Sequence, residues 1–211
     1  MKYVSILDYG CGNILSIKRA IEKIGFESLV TKNEKEIFDS NFVILPGVGS
    51  FRNAMHLIKK NELDKVIKNA IFNKKLPLLG ICLGMQLLFS KSYEEKLTEG
   101  LDIINGDVLS IKSKKKSQIK VPHIKWSTVK TINKENKFLE SDLHQKSFYF
   151  VHSYIAETKK KNETIAITDY NGITVPSVVK NKNVIGCQFH PEKSGENGIK
   201  FLSTIIKEYV Q

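Results

Sequence analysis

Cysteine is scarce in this chain: three in 211 residues, Cys11, Cys82 and Cys187. An odd count with no paired spacing excludes a disulfide framework and points to a reducing cytoplasm. There is no Cys-x-x-Cys and no His/Cys cluster, so no metal site is expected. No apolar run approaches the roughly 20 residues of a membrane span. One lysine and then strand-like sequence follow the first residue, which is not the pattern of a secretory leader. Arginine is nearly absent, with Arg19 and Arg52 the only two among 33 Lys+Arg. The formal net charge of +11 therefore does not indicate a nucleic-acid binder, because base and phosphate readers favour the planar arginine fork. The lysine runs Lys114-Lys115-Lys116 and Lys159-Lys160-Lys161 fall between expected strands and read as solvated turns. No repeat, low-complexity segment or linker interrupts the chain, so residues 1–211 read as one domain.

What is present fits a globular α/β protein: 41% apolar and 26% charged residues. Tyr3 to Asp8 reads as a strand, Phe42 to Leu45 is a short apolar run stopped by Pro46-Gly47, and Leu78 to Ile81 is a third strand. Between them, Ile14, Ile17, Ile21 and Ile24, and then Leu63, Val66, Ile67, Ala70 and Ile71, recur at helical spacing. Continuous apolar strands alternating with helices predict a doubly wound, mostly parallel central sheet covered on both faces. The C-terminal half predicts additional antiparallel strands at Val108 to Ile111, Phe148 to Ser153, Thr164 to Thr168, Thr174 to Val179 and Val184 to Phe189. Asn171-Gly172 marks a hairpin turn, and Leu202, Ile205, Ile206 and Tyr209 a closing amphipathic helix.

Chemistry concentrates where strands end. Leu78 to Ile81 runs into Cys82, flanked by Gly80 and Gly84. This is a cysteine version of the Gly-x-Ser-x-Gly elbow, which holds a nucleophile on a sharp strand-to-helix turn. A packing cysteine needs neither glycine. The following helix N-terminus would favour the thiolate. A hundred residues on, an apolar strand leads into His190-Pro191-Glu192. His190 can serve as the base for Cys82, with Glu192 orienting the imidazole and stabilising its cation. Cys11 and Cys187 have no base nearby in sequence and read as packing residues. An acyl-transfer reaction also needs donors for an oxyanion. Leu83 N–H is one candidate. The other is Val48 N–H, between Gly47 and Gly49, whose flanking glycines would let that peptide rotate. No Lys-Ser/Thr follows these glycines, so they do not form a phosphate loop.

Gly80-Ile81-Cys82-Leu83-Gly84-Met85-Gln86 with the later Gln188-Phe189-His190-Pro191-Glu192 resembles the class I, triad-type glutamine amidotransferases. Asp8 to Asn13, Leu45 to Phe51, Val121-Pro122-His123, Tyr149 to Tyr154 and His190 to Ser194 are similar to the glutaminase subunits of imidazole glycerol phosphate synthases. The likeness covers nearly the whole chain. It implies hydrolysis of L-glutamine through a cysteine thioester, without a cofactor, in histidine biosynthesis. It also implies that Gly47, Gly49, Gln86, Ser153 and Tyr154 contact the substrate. A heterodimer partner, a (β/α)8 synthase subunit, would face Asn13, Trp126, Tyr149, His152 and Lys193. Free ammonia is mostly protonated at neutral pH, and this chain has no room for a synthase domain, so a separate acceptor chain is expected. The chain departs from the family at Lys125 and Ser127, where Gly and Asn are usual. Paralogous subunits that feed ammonia to enzymes of surface-glycan sugar synthesis are therefore an alternative, and a stand-alone γ-glutamyl hydrolase is another.

Overall fold

A computed structural model describes residues 2–114, 119–133 and 137–210. Lys115 and Lys116 of the first lysine run lie outside the described residues. The elements in chain order are β1 (Tyr3–Leu7), α1 (Ile14–Lys23), β2 (Glu27–Thr31), α2 (Glu34–Phe38), β3 (Phe42–Leu45), α3 (Phe51–Lys60), α4 (Leu63–Phe72), β4 (Leu78–Ile81) and α5 (Leu83–Leu87). There follow β5 (Phe89–Ser92), β6 (Thr98–Glu99), β7 (Ile104–Ser110), β8 (His123–Thr131), α6 (Lys137–Leu143), β9 (Lys146–His152) and β10 (Tyr154–Thr158). The chain closes with β11 (Thr164–Tyr170), β12 (Ile173–Asn181), β13 (Val184–Cys187) and α7 (Gly195–Tyr209).

The main sheet has nine strands in the order β2-β1-β3-β4-β13-β12-β11-β8-β9. Neighbours from β2 to β13 pair parallel, and those from β13 to β9 antiparallel. The expected parallel centre with added antiparallel strands is thus present, but the Val184 strand, β13, expected among the antiparallel ones, joins the parallel centre by pairing with β4 and is antiparallel only to β12. The continuous apolar strands have the expected cause. In β3, Phe42 and Ile44 enter one core with α1, α6 and α7, while Val43 and Leu45 enter the other with α3 and α4. Both faces are covered, so alternation would leave polar groups buried. At Asn171-Gly172, φ of 54° and 80° marks the tight hairpin between β11 and β12. Lys159 and Lys160 lie exposed in the turn after β10, and Lys114 pairs with Glu157 at 2.6 Å.

Three elements depart from expectation. β2 is an edge strand whose alternating exposure gives no continuous apolar run. A second sheet, β10-β7-β5-β6, forms where only one strand is expected. β8 pairs with β9 over seven residues, from His123↔His152 to Val129↔Lys146, and carries a segment that reads as a motif rather than a strand. Among the described residues no helix is long and apolar enough to cross a membrane.

Candidate active site

β4 and β13 are adjacent parallel strands with Gly80 opposite Gly186 and Ile81 opposite Cys187. The register therefore delivers Cys82 and the Gln188-Phe189-His190 segment at the same end of the sheet, a step beyond the last pairs. Cys82 N donates to Cys187 O at 2.8 Å and closes this junction. In an open α/β sheet, this carboxyl end is where ligands bind.

Cys82 adopts φ 53° and ψ −109°, a conformation non-glycine residues rarely hold. The elbow is kept by packing. A Cβ on Gly84 would lie 1.9 Å from Leu45 O, and one on Gly47 would lie 2.5 Å from Gly84 N. Gly47 is therefore required by close approach and not by rotation. Only Gly49, at φ +95° with open space around it, has the freedom expected of both glycines. α5 is one short turn and supplies only a small dipole. The stronger influence beside the thiol is His190.

His190 is 2% exposed, and its Nδ1 pairs with Glu192 Oε1 at 2.8 Å. Cys82 lines the same cavity as His190, and its side chain acts electrostatically on the imidazole. Burial works against the imidazolium, but the adjacent Cys82 and Glu192 outweigh it and push the His190 pKa up to about 10. Asn13 Nδ2 donates to the same Glu192 Oε1 at 3.2 Å. Asn13, expected at a partner interface, thus braces the triad from the N-terminus of α1. Glu192 Oε2 is buried and receives no hydrogen bond among the described residues. Cys187 is fully buried and its thiol is pushed up chiefly by burial, in keeping with a packing role. Cys11 is half-buried and accepts from Asn53 at 3.8 Å.

A cavity of about 360 Å³ opens over this triad. Val48, Gly49, Leu83, Gln86, Ser153 and Tyr154 line it together with Cys82 and His190. Gln86 is 5% exposed, and its Nε2 donates to Tyr154 O at 3.1 Å and to Gln188 Oε1 at 3.0 Å. Its amide protons are therefore spent within the protein. Glu94 also lines the cavity, its Oε2 accepting from Phe51 N at 2.7 Å, and burial raises its pKa. The sequence offers no sign of this role, because Glu94 sits beside Glu95 in an ordinary polar loop.

The residues expected to face a partner divide into two groups. Trp126 is 52% exposed, with its ring 6.1 Å from that of the half-buried Tyr149, and Lys193 is exposed at the cavity rim. His152, in contrast, is buried at 6%. Its Nδ1 donates to Tyr154 O at 2.9 Å, so its Nε2 must accept the proton of His123 Nδ1 at 2.9 Å. His123 Nε2 in turn accepts from Ser127 Oγ at 2.9 Å. Ser127 thus caps a buried relay, and the unusual residue at that position has a structural use. Burial is the leading cause that depresses both rings, His123 to about 4 and His152 to about 3.

Residues 5–207 match the family Glutamine amidotransferase class-I. The chain belongs to the class I glutamine amidotransferases. It is 43% identical over 199 residues to the imidazole glycerol phosphate synthase subunit HisH of Caldanaerobacter subterraneus subsp. tengcongensis, covering 94% of this chain and 95% of that one. It is 45% identical over 201 residues to the HisH subunit of Bacillus cereus (strain B4264), covering 94% and 91%. Among solved structures, a chain of PurLQS from Thermotoga maritima matches with a TM-score of 0.73 at 20% identity, over 99% of both chains. At that identity the likeness speaks for the amidotransferase fold alone.

Proposed function

We propose that this chain is the glutaminase subunit of an imidazole glycerol phosphate synthase, which makes ammonia from L-glutamine in the cytoplasm and passes it to a separate (β/α)8 synthase subunit. The observation that carries the chemistry is the strained Cys82 beside a His190 held by Glu192. The near full-length likeness to HisH subunits supports the pathway.

The Cys82 thiolate attacks the side-chain amide carbon of glutamine, forming a C–S bond. The oxyanion is received by the Leu83 and Val48 N–H groups, beside the cavity. The His190 imidazolium gives its proton to the amide nitrogen, the C–N bond breaks and ammonia leaves. Neutral His190 then takes a proton from water, hydroxide adds to the thioester, and the C–S bond breaks. Glutamate departs, and thiolate and imidazolium are restored. Glu94 meets the substrate α-ammonium, and Ser153 and Tyr154 hold its other end. Trp126, Tyr149 and Lys193 present the docking face to the synthase subunit.

Glutamine hydrolysis without an acceptor would waste ammonia, so the isolated chain should idle. An oxyanion donor is worth about 100- to 1,000-fold in turnover, and Gly49 gives the Val48 peptide a hinge with which to withhold one. Glutamate release should therefore rise at least about a hundredfold when the synthase subunit and its ligand are added. Full activity of the isolated chain would favour a stand-alone γ-glutamyl hydrolase. Activation only by a sugar-modifying partner would favour the glycan-pathway alternative that Lys125 suggests.

A further inference from the structure

Gln188 is fully buried beside the triad, and the reaction described above leaves it without a task. Its Nε2 lies 3.7 Å from Cys82 Sγ, within hydrogen-bonding range for sulfur. An amide can be turned either way, but here a fixed acceptor decides the direction. Tyr154 O is a backbone carbonyl and only accepts. Gln86 must therefore present its NH2 to it, at 3.1 Å, and the same NH2 meets Gln188 Oε1 at 3.0 Å. That contact takes the oxygen of Gln188 and leaves its NH2 facing the sulfur. His152 Nδ1 donates to the same Tyr154 carbonyl at 2.9 Å and pins it further.

The other contacts at the sulfur have distinct preferences. Val151 O lies 3.8 Å away and, as an acceptor, suits only the neutral thiol. His190 favours the thiolate while it is protonated, and loses that charge when it gives its proton to the departing amide nitrogen. Gln188 is a donor that keeps its protons throughout the cycle.

We propose that Gln188 is a second catalytic group at the nucleophile, a neutral donor that stabilises the Cys82 thiolate before attack and again as it leaves the thioester, with Gln86 as the residue that positions it. The proposal rests on Cys82 being the nucleophile. It assigns Gln86 to orientation, with only its Oε1 remaining to meet a ligand.

The test is alkylation of Cys82 by iodoacetamide in the full chain across a pH series, followed by the mass of the peptide carrying Cys82. Gln188→Met removes the donor at similar volume. Its alkylation midpoint should move up by about one pH unit, as expected for loss of one hydrogen bond to a charged group. In the complex with the synthase subunit, kcat should fall about tenfold with KM within about twofold. Gln86→Met leaves Gln188 in place but unlocks its amide, so the midpoint should move in the same direction by less. A structural role alone would lower the melting temperature and leave the midpoint where it is. Wild-type midpoints in both folded variants would overturn the proposal. If Gln188→Met fails to fold, an unchanged midpoint in Gln86→Met suffices to overturn it. Normal turnover by Cys82→Ala would instead overturn the nucleophile itself, which keeps the two failures distinct.

Discussion

Replacing Gly84 with alanine tests whether packing behind the elbow sets the catalytic geometry. The new Cβ would sit 1.9 Å from Leu45 O and 3.1 Å from Pro46 O. A carbon and a carbonyl oxygen settle no closer than about 3.3 Å, so α5 and the end of β3 must part by roughly 1.4 Å. Neither side yields easily: Leu45 is fully buried, and Leu83 and Met85 are packed in the same core. The parting moves Cys82 and Leu83 on one side away from Gly47 and Val48 on the other. A misplacement of about 1 Å near reacting groups costs about a hundredfold, and overpacking a core costs about 1–3 kcal/mol. Gly84→Ala should therefore lower kcat with the synthase subunit at least about a hundredfold and lower the melting temperature. Both are read from glutamate release and a thermal melt on one preparation. Wild-type turnover would refute the reasoning, because it would mean that the elbow tolerates the separation.

Two further outcomes follow from the triad and the buried relay. Glu192→Gln should retain more activity than His190→Asn in glutamate release, because Glu192 orients while His190 transfers the proton; equal losses would contradict that division. The depressed pKa values of His123 and His152 mean that the unfolded chain takes up protons below about pH 6.5 while the folded chain refuses them. The contribution of these two rings to stability is thus full above that pH and lost as pH falls toward 4, at up to about 1.4 kcal/mol per pH unit for each ring. Urea titrations at pH 6.5 and 5.5 measure this slope, and His123→Phe, between the rings of Phe150 and Tyr170, should make it shallower. A slope in the variant equal to that of the wild type would remove His123 as its source.

The parts legible in the sequence are those with a local physical signature. β3 and β4 announce themselves because strands buried on both faces offer almost only apolar residues, and β1 departs from this at Ser5, whose hydroxyl pairs with that of Ser40 at 3.0 Å. Cys82 and His190 are legible because each ends such a strand, and the register of β4 and β13 then joins them. The second sheet is not legible: β5 reads Phe-Ser-Lys-Ser and β6 is two residues long, so pairing with β7 makes them strands. Glu94 and Gln188 are missed for a related reason. One lies in a charged loop, the other within an apolar run, and each gains its role only when the cavity or the Gln86 side chain closes on it. Asn13 and His152 look like surface residues in sequence, but the N-terminus of α1 and the end of β9 turn them inward, toward Glu192 and His123.

Cys82 is the residue on which the chemistry depends. Glutamate release from L-glutamine, measured with the synthase subunit and its ligand present, should be abolished in Cys82→Ala while the variant keeps its fold and its glutamine binding. Turnover at the wild-type rate in that variant would contradict the entire reading of the site.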